Sequence, residues 1–487
     1  MVETSKEWLR PSIVEAGKEQ TGINNVHFTP RSMHLKTFTY FVLSLVLAGL
    51  AGCVGARSNS AVISLDPSVT FQTMRGWETV VHATVAEDLP LQPAFDRVFQ
   101  QAVDDLGITR LRISIHSGTE HPPGYAQHYL NGGMSEGTLV SKFAYDIIND
   151  NADPNVANTA AFDFTLLDWR MENMVLPIKK YVEARGQKVY SYLCYIDFGR
   201  SSFEHFDHPE EYAEFMLVLF DHLKSKYDFV PDGIDVINEP DHTHEGWTPS
   251  AIGNAIAKTG TRLAAAGYKP DFIMPSTMDR GLAAKYFDEA IAIPGAREFV
   301  KELSFHCYAD TGTRSLEAIA QRAVQYNVSV LQNECWRDAN TYRTLHEDLK
   351  AGRSSAWQQG GLSGKMHAYY TIDPSTLHVT LSPKTRLMRQ YYKYVRPGAR
   401  RVQADTTNDA LDPIAFINSD NQYAVVVKAE SAGDFTIQNL PAGTYGSFYT
   451  TSAEFDTQAP NVELVVGEPL KASIPAAGVI TVYGKQD

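Results

Sequence analysis

The sequence predicts an α/β fold, a (β/α)8 TIM barrel with a side β-sandwich domain, on three observations. From about residue 74 to 397, apolar runs of strand length alternate with segments of helical period, the rhythm of a parallel sheet covered by helices. After about Arg400 the pattern changes to short β-branched runs separated by Gly, Pro, Asn and Asp turns. A chain of 487 residues with 44% hydrophobic content is long enough to bury the core of one barrel and a smaller companion.

Taken in order, residues 1–53 read as an N-terminal extension and signal segment. Phe38 to Ala51 is apolar, follows Arg31, His34 and Lys36, and runs into Leu50-Ala51-Gly52-Cys53, which resembles a bacterial lipobox. That implies cleavage before Cys53, a lipid anchor on its sulfur, and a protein held in the cell envelope outside the cytoplasm. An ordinary signal peptide with an incidental cysteine is the alternative, and Met33 is a candidate start. Ala61–Asp66 and Val69–Thr73 are expected as short strands within a 60–73 segment. The 74–397 region then supplies the barrel, opening on Gly76-Trp77-Glu78 and a helix with Phe95, Val98, Phe99 and Val103 on one face. Strand Ile108–His116 follows, and after it an irregular stretch from Ser117 to Asp163, long enough to suggest a substrate-binding insertion.

Helices are expected at Phe164–Arg185, Pro209–Tyr227, Pro249–Ala266, Gly281–Ala292, Arg314–Tyr326 and Tyr342–Gln359. Strands are expected at Lys188–Ile196, in the run ending in Glu239, at Asp271–Thr277, at Glu302–Tyr308, in the run ending in Glu334, and at Gly364–Ile372. With the two earlier strands this makes eight. Residues 398–487 carry the β-domain, with strands at Ile414–Ile417, Tyr423–Val427, Phe435–Ile437, Val462–Val466 and Val479–Tyr483.

A net charge of −14 argues against nucleic acid, and 24 Tyr with 6 Trp suit a surface that stacks on sugars. Of the four cysteines, Cys194, Cys307 and Cys335 fall in or beside predicted strands. Buried free thiols are the expectation and a Cys307–Cys335 bridge the alternative. No Cys-x-x-Cys or His-Glu-x-x-His spacing occurs, so neither a metal nor a cofactor is expected.

The chemistry is concentrated at two strand tips. Ile234, Val236 and Ile237 form a β-branched run that Pro240 stops, leaving Glu239 at its end, and Val328 to Glu334 repeats the design 95 residues later. That interval fits strands 4 and 7 of one barrel. Alternation puts Arg110, Arg112 and Ser114 on one face, from which Arg112 can hold Glu334 as a carboxylate. Trp77, Glu78, His116, Trp336 and Tyr370 lie at predicted strand ends on the same side, Trp336 as a possible sugar platform; His82, His306 and His367 read as core or rim histidines.

Asn238-Glu239-Pro240, Glu334, and His306-Cys307-Tyr308 between them resemble the retaining β-glycosidases of the clan A (β/α)8 glycoside hydrolases. The junction Gln390-Tyr-Tyr-Lys-Tyr-Val-Arg-Pro-Gly398 is similar to that of glycoside hydrolase family 30, in which the side domain also takes strands from before the barrel. The resemblance implies that Glu239 is the acid/base, Glu334 the nucleophile, Tyr308 a hydrogen-bond donor to Glu334, and Asn238 a ligand of the sugar 2-hydroxyl. It implies a monomer acting on a polysaccharide or oligosaccharide, with β-1,6-galactan, xylan, β-1,6-glucan and small β-glycosides all open. Gly76-Trp77-Glu78 departs from the family's usual Gly-aromatic-Gly turn, which leaves the subfamily open. Another clan A family is one alternative; a catalytically silent carbohydrate-binding lipoprotein is the other.

Overall fold

A computed structural model of the chain describes residues 60–81, 89–199, 201–243, 245–363 and 368–486. The expected signal segment with Cys53, and also His82 and His367, lie outside the described residues. No helix among the described residues is long and apolar enough to cross a membrane.

In chain order the strands are β1 (Ala61–Thr73), β2 (Gly76–Val81), β3 (Ile108–His116), β4 (Tyr190–Ile196), β5 (Gly233–Asp235), β6 (Asp271–Asp279), β7 (Val300–Ala309), β8 (Ser329–Glu334), β9 (Ala356–Gly361), β10 (Tyr370–Ile372) and β11 (Val379–Leu381). The helices are α1 (Phe95–Asp104), α2 (Tyr125–Leu130), α3 (Glu136–Lys142), α4 (Thr165–Arg170), α5 (Leu176–Glu183), α6 (Pro209–Tyr227), α7 (Pro249–Ala265), α8 (Arg280–Ile291), α9 (Thr313–Tyr326), α10 (Tyr342–Lys350) and α11 (Pro383–Tyr392). Strands β2 to β9 pair in parallel and close into a barrel. Gly76 opens it at φ +136°, where a Cβ would fall 2.4 Å from Thr109 Oγ1, so only glycine fits that entry.

The helices form where the apolar spacing demands. In α6, Pro209 starts the first turn with Glu210 and Glu211, and Lys224 and Lys226 end the last, the charge order that the helix dipole favours. Its Tyr212, Phe215, Met216, Leu219 and Leu223 are buried. The helix expected over 164–185 runs unbroken from Thr165 to Glu183, with one π turn, Met171–Val175, between α4 and α5.

The eighth strand is a correction. The predicted helix Tyr342–Gln359 ends at Lys350, Arg353 takes a left-handed φ of 53°, and Ala356–Gly361 is the strand that closes the barrel between β8 and β2. Of the predicted strand Gly364–Ile372, Tyr370–Ile372 forms a two-stranded antiparallel ribbon with β11, outside the barrel. Predicted strands Ala61–Asp66 and Val69–Thr73 form one strand, irregular between Asp66 and Thr70, where Pro67 has no N–H to give the ladder. The expected free thiols are also corrected: Cys307 and Cys335 are disulfide-bonded, and Cys194 is buried and free.

The side domain adds β12 (Arg400–Thr406), β13 (Leu411–Ile417), β14 (Gln422–Ala429), β15 (Gly433–Gln438), β16 (Gly443–Thr451), β17 (Thr457–Leu464), β18 (Leu470–Ile474) and β19 (Gly478–Gln486). With β1 they form one nine-stranded sheet, β1 lying antiparallel to β12 and parallel to β15. Ile63, Val402, Val425, Ile437, Leu470 and Ile480 share its separate core. Helix α11 joins the two bodies: Gln390 Nε2 donates to Thr450 Oγ1 at 3.0 Å, and Thr481 Oγ1 donates to the Gln390 carbonyl at 2.9 Å.

Candidate active site

Beyond Asp235 the chain leaves the β5 ladder but stays braced, with Val236 N donating to the Ile273 carbonyl at 3.2 Å and Asn238 N to that of Tyr195 at 2.8 Å. Glu239 then turns to φ +51°, a left-handed conformation that a side-chain-bearing residue adopts at a cost of order 1 kcal/mol. Its N–H is held by the Ser276 carbonyl at 3.1 Å, and Ser276 is itself left-handed at +53°. This fixed corner presents the Glu239 carboxyl to the barrel mouth, where Oε1 shares a 2.8 Å hydrogen bond with His306 Nδ1.

Strand β7 alternates, so Ser304, His306 and Tyr308 fall on one face. Ser304 Oγ meets Ser276 Oγ at 2.8 Å, His306 meets Glu239, and Tyr308 OH donates to Glu334 Oε1 at 2.9 Å. The other oxygen of Glu334 pairs with Arg112 Nη1 at 2.5 Å. Arg112 Nη2 reaches Asn238 Oδ1 and lies 3.5 Å from Asp235 Oδ2. Asp235 is completed by Ser276 Oγ at 2.7 Å and Asn333 Nδ2 at 3.0 Å.

Burial pushes the Glu334 carboxyl up, but His306, Arg112 and Tyr308 together outweigh it and hold Glu334 below the ordinary carboxylate range. It is therefore ionised at neutral pH. Burial and then the carboxylates of Glu334 and Glu239 drive Tyr308 up, so its phenol stays protonated and donates.

An oxygen of Glu239, an oxygen of Glu334 and a nitrogen of His306 all lie within 4.8 Å of one another. That donor set could also ligate a metal, but both Glu334 oxygens are already engaged by Arg112 and Tyr308.

The other sequence-predicted residues separate. His116, at the end of β3, stands edge-on to Tyr145, which stands edge-on to Phe198, and Phe198 is 39% exposed. These form an aromatic arc on the β3–β4 side of the mouth. Trp336, just beyond Glu334, is half-buried, and its Nε1 is buried without a hydrogen-bond partner. Trp77 is not at the site: it points out of the barrel, donates from Nε1 to the Val395 carbonyl at 2.7 Å and packs on Tyr392. Tyr370 is likewise elsewhere, buried in the β10–β11 ribbon with Asp105 and Arg389 as its charged neighbours. Glu78 lies deeper in the barrel, paired with Arg110 Nε at 3.1 Å, while Arg110 Nη2 pairs with Glu302 at 2.8 Å.

Sequence reasoning missed His306 as the partner of Glu239, and with it Asp235, Ser276, Ser304 and Asn333. The alternation Ser304-x-His306-x-Tyr308 was the available signal. The 117–163 insertion is not irregular throughout, since it contains α2 and α3, whose Tyr125, Tyr129 and Leu139 form a small core with Leu166 of α4.

Solved structures share this fold. A glycoside hydrolase family 30 endoxylanase from Clostridium papyrosolvens C71 aligns with a TM-score of 0.63 at 17% identity, over 87% of this chain and 100% of its own. The catalytic domain of the family 30 xylanase C from Talaromyces cellulolyticus gives 0.65 at 15% identity, over 87% and 100%. An endo-β1,6-glucanase gives 0.61 at 14%, over 88% and 95%. No protein-family model matches the sequence, and no curated protein does. The architecture is that of a (β/α)8 barrel with a side β-domain. Its solved counterparts include enzymes of glycoside hydrolase family 30, at identities that speak for the fold alone.

Proposed function

We propose that this protein is a retaining β-glycoside hydrolase acting on a polysaccharide or oligosaccharide, with Glu334 as nucleophile and Glu239 as acid/base. The observation that carries the proposal is the approach of the two carboxylates, an oxygen of each lying within 4.8 Å of the other. Retaining glycosidases hold their carboxyl groups about 5–5.5 Å apart, whereas inverting enzymes need about 6.5–9.5 Å to admit a water.

On this reading Glu239 gives its proton to the glycosidic oxygen while the Glu334 carboxylate attacks the anomeric carbon, and the leaving sugar departs. Glu239, now a carboxylate, takes a proton from water as that water's oxygen displaces Glu334 from the same carbon. Arg112 and Tyr308 aim and ionise the nucleophile. Asn238, its amide oxygen held by Arg112, keeps its amide nitrogen as a donor for the sugar 2-hydroxyl. Some structural counterparts are named as xylanases and one as an endo-β1,6-glucanase, so xylan and β-1,6-glucan lead the substrates to be screened, ahead of β-1,6-galactan and small β-glycosides. The deciding experiment is proton NMR of hydrolysis on whichever substrate is cleaved. The β-anomer appearing first supports double displacement, and the α-anomer first refutes it.

A further inference from the structure

Away from the catalytic pair, the 117–163 insertion meets the start of α6 through a second group of carboxylates. Glu211 and Glu214, three residues apart and so on one helix face, approach Asp150, and an oxygen from each of the three lies within 4.8 Å of the others. Glu214 is only 2% exposed, and neither of its carboxyl oxygens has a hydrogen-bond partner. Asp150 Oδ1 and the amide oxygen of Asn149 are also buried without partners. Four unpartnered oxygens therefore sit where the two segments meet, in surroundings that otherwise satisfy their polar groups. Asp150 N donates to Glu120 Oε1 at 3.0 Å, Glu120 Oε2 meets His205 Nε2 at 3.0 Å, and His205 Nδ1 meets Tyr195 OH at 2.7 Å.

A buried carboxylate with no partner is costly unless a proton or a cation neutralises it. Arg262 acts on Glu214 through its charge, but its Nη1 donates to the carbonyls of Pro154 and Glu210.

We propose that Asp150, Glu211 and Glu214 form a binding site for a hard divalent cation, calcium. The donors are all oxygen, which disfavours zinc. Calcium takes oxygens at about 2.3–2.6 Å, so ligands on opposite sides of the ion stand about 4.6–5.2 Å apart, and the present spacing closes on one ion with little movement. Magnesium, at about 2.0–2.1 Å and strictly octahedral, would require the carboxylates to draw closer.

The site ties the insertion to the barrel. Helix α6 follows β4, so its first turn lies at the catalytic end of the barrel. The insertion segment that carries Asp150 also carries Tyr145, which packs against His116 and Phe198 at the mouth. Calcium would thus hold in place the segment that shapes the mouth.

The inference is independent of the catalytic reading, because its readouts are direct binding and thermal stability. Full-length protein stripped with EDTA is titrated with calcium chloride alone at pH 7.5, by isothermal calorimetry and by thermal melting. One ion per chain should bind, with a rise in Tm that saturates with it. Glu214→Gln should weaken binding by about tenfold or more and abolish the Tm response. Asp150→Asn, from the other segment, serves the same purpose should the first variant fail to fold. Glu334→Gln should keep the full response, which separates this site from the Glu239–His306–Glu334 group. The proposal is overturned if millimolar calcium neither binds nor shifts the Tm. It is equally overturned if the response survives in both Glu214→Gln and Asp150→Asn, or disappears in Glu334→Gln alone.

Discussion

Replacing Arg112 tests the electrostatics of the site most directly. Its guanidinium touches Glu334 at 2.5 Å and lies 3.5 Å from Asp235, all three side chains being almost wholly buried. Two unit charges about 4 Å apart interact by about 4 kcal/mol at an effective dielectric near 20. His306 and Tyr308 remain to oppose protonation of Glu334, so part of that stabilisation survives in Arg112→Met. Loss of about 3–4 kcal/mol of transition-state stabilisation corresponds to a fall of about 10²–10³ in kcat/KM. The sign of the pH effect follows from the nucleophile's charge. On the proposed mechanism Glu334 works ionised, so kcat/KM rises as pH climbs through its pKa. Without Arg112 burial is less well opposed, and the acidic limb moves to higher pH. The assay is kcat/KM against pH on an activated aryl glycoside, with urea denaturation alongside, since two buried carboxylates left unpaired should cost about 3–5 kcal/mol of stability. Arg112→Lys, which keeps the charge, should move the limb less than Arg112→Met. A folded Arg112→Met enzyme whose activity falls uniformly with the acidic limb unmoved would refute the electrostatic role and leave Arg112 as a positioning residue only.

The two glutamates should fail differently. With azide present, Glu334→Ala is expected to yield the inverted glycosyl azide and Glu239→Ala the retained one, read by NMR of the products; identical products would contradict the division of roles. Breaking the Cys307–Cys335 bridge by Cys307→Ser, which opens a loop of 28 residues, should lower stability by about 2–4 kcal/mol in urea melts run without reductant. We propose Cys53 as a lipid anchor, so Cys53→Ser should abolish labelling by a radioactive fatty acid in a host that processes lipoproteins; an unlabelled wild-type protein would count against it.

What the sequence made legible was the alternation itself and the two carboxylate tips, because β-branched runs stopped by Pro240 or ended by Asn333-Glu334 are local features. Parity also placed Arg112 correctly on the inner face of β3. The same parity carried a lesson that went unused: with Glu78 facing in, Trp77 must face out, and it does, to Val395. The eighth strand failed because Ala356-Trp-Gln-Gln-Gly-Gly is poor in β-branched residues, so its propensity is weak. Its place is set by pairing and by contacts such as Gln358 Nε2 to Glu78 Oε1 at 3.0 Å, between register partners on the neighbouring strands β9 and β2. His306 was misjudged for a related reason. Its partner lies 67 residues away, and no local pattern distinguishes a core histidine from one against a catalytic carboxylate. The calcium-site residues are similarly ordinary in sequence, and only folding brings Asp150 onto α6.

The barrel interior resolves into two charged layers, and their difference bears on catalysis. In the deeper layer Arg110 bridges Glu78 and Glu302, Arg75 bridges Glu302 and Asp271, and Tyr192 OH and Gln358 complete Glu78. In the layer at the mouth a single guanidinium, Arg112, faces both Asp235 and Glu334, with Glu239 and His306 beside them. Burial pushes the Asp235 carboxyl up, with Arg112 opposing it, whereas Glu334 is held below the ordinary carboxylate range, so the guanidinium is shared by two carboxyl groups of unequal acidity. On the proposed mechanism the transition state is oxocarbenium-like, so the Glu334 carboxylate stabilises the charge that develops there more than it stabilises the neutral substrate. Arg112 helps to hold Glu334 ionised and also sets the geometry, because it grips Glu334 on one side and Asn238, the neighbour of Glu239, on the other. One residue thus links the spacing of the two carboxylates to their charge. On that mechanism a second cation placed beside Glu334 would offset its charge and weaken the preference for the transition state, even with both glutamates undisturbed.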